Sequence, residues 1–380
     1  MRQPSPRSQR VGLPCKGAAP PLPFAAVTSR PSEWLRPAVR GVAAYVPGEQ
    51  PAAGRRVVKL NTNENPYPPS PAVLDALRAA ADGTIRLYPD PEAQALRARA
   101  SAVYGVPAHH ILAGNGSDEL LALILRATID PGARVAFAVP TYSLYETLVA
   151  VQGGDTVCID YPDDWSIPPS LASARARVTF LCNPNSPSGT SVPRRDVESL
   201  ARAVAGILVV DEAYVDFADE DAMTLVGRLP SVVVLRTLSK SFSLAGMRAG
   251  LVFGHPELLA GVRTVRDSYN VNRLTQLAAE AALSDLPHMR ANVARIRTTR
   301  SRLTTALEQL GYEVPPSSAN FVLARRPGID QAPVAAALSE RGVLVRHFAI
   351  KRLQDALRIT VGTDDEIDTL LGHLRNIAKS

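Results

Sequence analysis

Lys240 stands between two serines in the string TLSKSFSLAGMRAG, a few residues after an apolar run that predicts a buried strand. Most lysines in loops are solvated charges. A lysine that bonds covalently to an aldehyde instead needs a crevice that lowers its pKa and donors nearby for an anionic group. Ser239, Ser241 and Arg248 are such donors, and the arginine can bind a phosphate through two N–H groups. The string therefore predicts a nucleophilic lysine beside a phosphate site.

Asp211 and Tyr214 follow the apolar run 207–210 in the string DEAYVDF. A carboxylate at the end of a buried strand would lie at the floor of a crevice, where it can keep a pyridinium nitrogen protonated. The hydroxyl of Tyr214 could then reach a phenolic oxygen on the same ring. An Asp-Glu pair also ends strands and caps helices, so this interpretation depends on the neighbouring motifs.

The string GNGSDELLALILRATI, residues 114–129, predicts an apolar helix with Ser117 and Asp118 in its first turn. The free N–H groups and the positive end of the helix dipole suit a phosphate. N-capping by Ser117 explains the pattern nearly as well. Tyr142, in PTYSLY, is a candidate to stack on an aromatic ring.

Arg346 in GVLVRHF and Arg358 in ALRITVG lie in predicted strands. Alternation along the second strand turns Arg358 to the side opposite Leu357 and Ile359. An arginine that faces a crevice suits the carboxylate or phosphate of a substrate. Strand arginines more often face solvent, so the two are candidates only in combination with the motifs above.

The elements that would position these residues form an α/β pattern. Between about residues 76 and 285, β-branched runs alternate with Ala/Leu/Arg-rich segments of helical period, which predicts a wound sheet. The predicted strands are 134–138, 156–159, 178–181, 207–210, 232–235 and 251–253. A long helix over 286–312 leads to a small α/β unit with strands at 320–324, 343–346 and 357–361 and a terminal helix from Asp364. Ligands of such sheets bind outside the carboxyl ends of the strands, so the polar loops should converge on one crevice.

Composition narrows the class of protein. A chain of 380 residues with 46% apolar and 21% charged residues predicts a soluble protein of one large and one smaller domain. The net charge is +6, but five basic residues precede the first acidic one, Glu33, so the body is nearly neutral and nucleic acid is not an expected partner. No apolar run approaches the roughly 18 residues of a membrane span. Cys15, Cys158 and Cys182 form no CxxC pair, so we expect neither structural disulfides nor a metal site.

The head of the chain, residues 1–30, differs from the rest. Eight prolines occur in the first 37 residues, which predicts a disordered Pro/Arg-rich extension. Its composition resembles that of a transit peptide, but it lacks the apolar core of a secretory signal. We therefore expect a cytoplasmic protein.

Together these strings resemble the aspartate-aminotransferase fold, fold type I of the pyridoxal-phosphate enzymes, and most closely the histidinol-phosphate aminotransferase family. The resemblance extends from about residue 32 to the end. It is carried by KLNTNENPYPPSP from Lys59, LYPDPE from Leu87, GNGSDE, DEAYVDF, TLSKSFSLAGMRAG, SYNVN from Ser268 and LRITVG from Leu357.

The resemblance implies a large, mostly parallel seven-stranded sheet domain at 76–285, with a smaller C-terminal α/β domain at 286–380. Residues 31–75 would form an N-terminal arm and part of the smaller domain. The implied cofactor is pyridoxal 5'-phosphate. The implied assembly is a homodimer in which Tyr88 reaches a phosphate in the partner subunit.

The same resemblance implies roles for single residues. Lys240 would form the Schiff base, Asp211 would pair with the pyridine nitrogen and Tyr214 with the phenolic oxygen. The residues implied for the phosphate are Ser117, Asp118, Ser239 and Arg248, and those for the substrate are Asn65, Arg346 and Arg358. Many relatives have asparagine before the proline of an NPTG motif, whereas this chain has Ser186 there. Asn185 is the nearest amide, and which of the two contacts the phenolic oxygen stays open.

The implied reaction is transfer of an amino group from histidinol phosphate to 2-oxoglutarate in histidine biosynthesis. A threonine-phosphate decarboxylase or an aromatic amino-acid aminotransferase on the same fold would show similar strings. A cofactor-sensing regulator is a different class, and the head of the chain is too short for the DNA-binding domain that it would need.

Overall fold

The computed structural model describes residues 31–46, 48–51, 54, 57–350 and 352–378. The predicted extension over 1–30 lies outside the described residues. The helices are α1 Pro71–Ala80, α2 Gln94–Tyr104, α3 Ser117–Thr128, α4 Leu144–Gln152, α5 Pro169–Ala172, α6 Arg194–Ala203, α7 Pro256–Thr264, α8 Arg273–Ser284, α9 Leu286–Gln309, α10 Ala332–Glu340 and α11 Asp364–Ile377. The strands are β1 Val58–Leu60, β2 Ile111–Asn115, β3 Arg134–Val139, β4 Asp155–Asp160, β5 Val178–Cys182, β6 Ile207–Asp211, β7 Val232–Thr237, β8 Ala249–Phe253, β9 Phe321–Arg325, β10 Val343–His347 and β11 Ala356–Thr360.

Seven of these strands form one sheet in the order β2-β8-β7-β6-β5-β3-β4. Only β8 runs antiparallel to its neighbours, so the predicted mostly parallel α/β sheet is confirmed. The central strands β5 and β7 are buried along their whole length, which explains their unbroken runs of apolar residues. Successive residues of a strand point to opposite faces of the sheet, so Val233 and Val234 belong to two separate cores, one on each face.

A second sheet of four strands has the order β1-β10-β11-β9. Its core includes the buried faces of α9 and α11, and β1 brings the N-terminal part of the chain to its edge. In this sheet Arg346 of β10 lies directly opposite Arg358 of β11. Among the described residues, no helix is both long and apolar enough to cross a membrane.

Three details differ from the sequence prediction. Gly114 and Asn115 belong to β2 and not to the start of the helix, because this strand pairs with β8 along its whole length despite its Ala-Gly-Asn ending. β1 has only three residues, too few for a recognisable alternation. The long helix ends at Gln309, before the predicted residue 312, because Gly311 takes a left-handed φ of 82°.

Candidate active site

One pocket collects most of the predicted residues at the carboxyl ends of β3, β5, β6 and β7. Its walls also include the segment after β1 and the two strand arginines. The predicted residues that line it are Ser117, Asp118, Tyr142, Asp211, Tyr214, Ser239, Lys240, Arg248, Arg346 and Arg358. The polar loops therefore converge as the sheet topology requires. Among the described residues, no cluster of His, Cys, Asp or Glu could hold a metal ion.

Lys240 is partly buried at the centre of this pocket. Its Nζ donates to the carbonyl of Thr62 at 3.4 Å and lies 5.7 Å from the ring centroid of Tyr214. Burial, with the neighbouring charge of Arg358, lowers the pKa of this amine to about 8. A larger fraction of the amine is therefore neutral, and nucleophilic, near neutral pH than for an exposed lysine.

Asp211 ends β6 with its carboxylate buried. Its Oδ2 accepts the hydroxyl of Tyr145 at 2.7 Å, and its Oδ1 accepts the amide of Ala213 at 3.2 Å. Burial raises the pKa of the carboxyl to about 6, although both hydrogen bonds oppose that shift. Within the described residues this carboxylate forms no ion pair, so it is suited to pair with a cationic group of a bound ligand.

Tyr214 contacts a buried asparagine that the sequence analysis missed. Asn63 Nδ2 donates to the Tyr214 hydroxyl at 3.0 Å, while Asn63 Oδ1 accepts from Thr360 Oγ1 at 3.0 Å. Burial raises the pKa of Tyr214 to about 12, so its hydroxyl is protonated at neutral pH. Because the oxygen already accepts from Asn63, its own proton is available for an oxygen on a ligand.

The predicted phosphate residues meet at the N-terminus of α3. Arg248 Nη2 pairs with Asp118 Oδ2 at 3.2 Å, and the Tyr142 hydroxyl donates to Asp118 Oδ1 at 3.1 Å. Ser239 Oγ accepts from Thr237 at 2.9 Å and so keeps its own proton for another acceptor. A Cβ at Gly116 would lie 2.7 Å from Arg248 Nη2, so the backbone passes unusually close to the guanidinium.

The two arginines lie on the opposite side of the pocket. Arg358 Nη2 donates to the carbonyl of Asn61 at 2.9 Å, and its Nη1 donates to Ser186 Oγ at 3.2 Å. Arg346 Nη2 donates to the carbonyl of Val46 at 3.3 Å. These bonds help to orient both guanidinium groups, and none of the three acceptors is charged.

Four predicted residues lie elsewhere. The amide of Asn185 is occupied by Pro140, Ser188 and Thr141, whereas Ser186 lines the pocket. Asn65 Nδ2 donates to the Lys240 carbonyl at 2.9 Å and so supports that loop from behind. Tyr88 is 79% exposed and stacks on Tyr269 at 4.4 Å, outside this pocket. The hydroxyl of Ser241 donates to Asp216, so it is not the free phosphate donor that we expected.

Ser241 and Asp216 are part of a buried ionic network beneath the pocket. Arg236 pairs with Asp216 at 3.2 Å, with Glu212 at 2.8 Å and with Asp221 at 2.9 Å. Glu212 directly follows Asp211, and Ser241 directly follows Lys240. The network therefore holds the chain segments that carry Asp211 and Lys240 against the centre of the sheet.

The lining or supporting residues that the sequence analysis missed include Tyr145, Asn63, Tyr45 and Phe348. Tyr145 follows Tyr142 by three residues in PTYSLY, and that spacing on a helix start could have indicated a second inward ring. Asn63 alternates with Asn61 in NTNEN, which is the only local signal. For Tyr45 and Phe348 the sequence carries no comparable signal.

Residues 55–374 match the family model for class I and II aminotransferases. Histidinol-phosphate aminotransferase 1 of Trichormus variabilis is 44% identical over 349 residues, which cover 92% of this chain and 100% of that protein. Histidinol-phosphate aminotransferase of Citrifermentans bemidjiense is 43% identical over 343 residues, with 90% and 98% of the two chains covered.

Solved structures agree with this assignment. Histidinol-phosphate aminotransferase from Sinorhizobium meliloti, in complex with pyridoxal-5'-phosphate, is 31% identical, with a TM-score of 0.80 over 86% of this chain and 92% of that one. A mutant aspartate aminotransferase from Thermus thermophilus has the same fold, with 23% identity and a TM-score of 0.73 over 86% and 92% of the two chains. The chain belongs to the class I and II aminotransferases, in their histidinol-phosphate aminotransferase family.

Proposed function

We propose that this protein is a pyridoxal-phosphate enzyme that transfers an amino group from histidinol phosphate to 2-oxoglutarate. One observation carries the proposal: an amine of lowered pKa, a buried carboxylate and two arginines face the same pocket. The relatives at 43 to 44% identity bear the name of this activity.

The residues of the pocket fit pyridoxal phosphate. Lys240 would hold the aldehyde carbon covalently, and the buried Asp211 would face the ring nitrogen. Tyr214 would donate to the phenolic oxygen, and Ser186 is better placed than Asn185 to be a second donor there. The phosphate would lie at the start of α3, where the close approach of Gly116 to Arg248 leaves no room for a side chain. Tyr142 would lie beside the ring.

When bound, this cofactor acts as an electron sink for a carbanion at the substrate carbon. Once a donor amine has taken its place at the aldehyde carbon, the free Nζ of Lys240 would be the base that takes the proton from the substrate carbon. The buried carboxylate of Asp211 would stabilise a positive charge on the ring nitrogen. The low pKa of Lys240 suits this work, because a base near neutrality can both take and return a proton.

The arginines would bind the anionic end of each substrate in turn. Histidinol phosphate would present its phosphate to them, and 2-oxoglutarate would present a carboxylate. A planar guanidinium binds either group through two N–H donors. The same two arginines, Arg346 and Arg358, can therefore bind the substrate in both half-reactions.

Gly116→Ala should weaken pyridoxal-phosphate binding by roughly tenfold, because the new methyl group displaces Arg248 from a charged hydrogen bond. Gly132→Ala is the matched control. Gly132 also has a positive φ, of 80°, but a Cβ there meets nothing within 4 Å. Titration of the cofactor-free proteins, followed by absorbance, checks the result. Equal affinities in the two variants would contradict the assignment of this cradle.

The rate at which the cofactor-free protein attaches pyridoxal phosphate should rise up to about pH 8 and level off above it. Only the neutral amine attacks, and burial lowers the pKa of Lys240 to about 8 from an ordinary 10.5. Rapid-mixing absorbance between pH 6 and 10.5 measures the profile. A rate that still climbs at pH 10 would mean that the attacking lysine has an ordinary pKa.

A homodimer and a cytoplasmic location belong to the same proposal. Tyr88, Tyr269, Leu87 and Ile85 expose large apolar side chains, which supports burial of this surface against a second copy. Tyr88 of one subunit would then reach the phosphate in the other. The free thiols of Cys158 and Cys182 are consistent with a reducing compartment.

The substrate is tested by mixing the pure protein and cofactor with single amines and following the visible absorbance of the bound cofactor. Histidinol phosphate should discharge the band rapidly, whereas phenylalanine and threonine phosphate should not. Rapid discharge by phenylalanine would favour an aromatic aminotransferase. Release of carbon dioxide from threonine phosphate, without consumption of 2-oxoglutarate, would identify a decarboxylase.

A further inference from the structure

Arg346 and Arg358 repel each other in an arrangement that needs support. They are direct cross-strand partners, and like charges in such positions destabilise a sheet. The ring of Phe348 lies beside both, with its centroid 5.4 Å from the guanidinium carbon of Arg346 and 5.5 Å from that of Arg358. An aromatic face attracts cations electrostatically at this distance. One ring can therefore hold two like charges in place.

This arrangement preserves hydrogen-bonding capacity for a ligand. A ring face contacts a guanidinium without using its N–H groups, whereas a carboxylate partner would occupy them. Phe321 contacts Arg358 in the same way at 5.4 Å. Arg358 Nε is buried and has no hydrogen-bond partner within the described residues. The aromatic contacts thus help to orient Arg358 without occupying the N–H groups that its bonds to Asn61 and Ser186 leave for an anion.

Phe348 is itself held against the seven-stranded sheet. It packs on a small apolar cluster that joins the two sheets, whose members are Ala138, Tyr161, Trp165, Leu323, Leu353 and Ala356. Arg352, from the same loop between β10 and β11, donates to the carbonyls of Tyr161 and Pro162. Its guanidinium carbon also lies 5.2 Å from the centroid of Trp165. The position of Phe348 therefore depends on contacts between the sheets.

Trp165 is an unusual residue for this contact. It is 6% exposed, and its backbone has a positive φ of 60° that bulky side chains seldom adopt. The surrounding contacts must therefore hold this conformation. Its indole ring contacts Arg352 of the loop that carries Phe348, where it would sense a shift of that loop.

We propose that Phe348 is a positioning residue that holds Arg346 and Arg358 for the anionic end of the substrate, and that the Arg352–Trp165 contact anchors its loop. The inference rests on the proposed function only in taking these arginines to bind that end. The groups they bind are a phosphate monoester and a carboxylate, and Phe348 acts on both alike.

Phe348→Leu should raise the KM for 2-oxoglutarate by roughly five- to tenfold and leave kcat within about twofold, because it removes the ring but keeps an apolar side chain. Phe348→Tyr should restore the KM, since it keeps the aromatic face. Ile350→Ala, an exposed position on the same loop, is the matched control and should change neither constant. Exchange of an isotopic label between labelled 2-oxoglutarate and unlabelled glutamate gives both constants, so the result does not depend on which amine is the natural donor.

Trp165 fluorescence gives a second readout without turnover. The chain has two tryptophans, and Trp34→Phe removes the exposed one. In this background the holoenzyme should show a saturable change in emission when titrated with glutarate or inorganic phosphate. Phe348→Leu should move the midpoint to higher concentration by the same factor as the KM.

Two results would overturn the proposal. One is an unchanged KM and midpoint in Phe348→Leu. The other is an equal loss in Phe348→Tyr, which would show that the site needs the shape of phenylalanine and not its ring face. Should Phe348→Leu fail to fold, Arg352→Met replaces it and should shift the glutarate midpoint in the same direction. An unshifted midpoint there contradicts the anchor. A failure of histidinol phosphate as donor, with these shifts intact, would overturn the proposed substrate alone.

Discussion

Lys240→Ala is expected to lower kcat by on the order of 10⁴-fold or more, because it removes both the covalent anchor and the base that moves the proton. The variant should still bind pyridoxal phosphate through Asp211 and the phosphate cradle. Steady-state turnover and equilibrium titration of the cofactor measure the two properties separately. A large loss of kcat with retained binding is the signature of a group that acts in the chemistry.

Lys59→Ala is the matched control for this prediction. Lys59 lies in β1 and is the other lysine among the described residues. It pairs with Glu64 at 2.7 Å. Its loss should change kcat by less than about tenfold, since it removes one partly exposed ion pair. If Lys240→Ala kept more than a tenth of the activity, the assignment of the base would be wrong.

Asp211→Asn should lower kcat by on the order of 10²- to 10³-fold, because the amide keeps the shape of the carboxylate but cannot stabilise a cationic ring nitrogen. Tyr145→Phe should have a smaller effect, since it removes only the hydroxyl that donates to Asp211. Asp219→Asn is the control, because this residue pairs with Arg297 on the surface. Turnover of the three variants within fivefold of each other would contradict the role of Asp211.

Asp211→Asn should stabilise the fold of the cofactor-free protein, although it lowers the kcat of the holoenzyme. The pKa of Asp211 is raised to about 6 in the folded state from an ordinary 3.8, so the unfolded chain holds the proton less tightly. Ionisation of this group therefore destabilises the fold as pH rises from about 4 to 6, and the full cost persists above pH 6. Asp211→Asn should raise the Tm of the cofactor-free protein at pH 7 and lose that gain below pH 4. Calorimetry at the two pH values checks this.

Much of the site could be predicted because its residues follow buried strands. Asp211 and Lys240 come after apolar runs that predict buried strands, and parallel topology brings the ends of such strands together. The helix start at Ser117 was recognisable for a similar reason, since a polar first turn precedes an unbroken apolar face. The prediction of these residues requires only local sequence patterns and one rule of sheet topology.

The positions of other site residues depend on contacts between distant parts of the chain, which local sequence patterns do not encode. Asn63 reaches Tyr214 because its φ of 57° and its bonds to Thr360 turn it inward, and Thr360 is 297 positions away. Ser186 and Asn185 differ by one position in a loop, and only the path of that loop decides which side chain meets the pocket. Phe348 is positioned by an apolar cluster between the two sheets. A single sequence carries no periodicity for such features.

The central claim is the covalent link between Lys240 and the cofactor, and borohydride reduction of the holoenzyme followed by peptide mapping tests it most directly. Mapping is decisive in this chain, because its lysines are only Lys16, Lys59, Lys240, Lys351 and Lys379. We predict that the pyridoxyl group is found on the peptide that contains Lys240 and on no other. A reduced protein that carries the label on a different lysine, or carries none, would contradict the account.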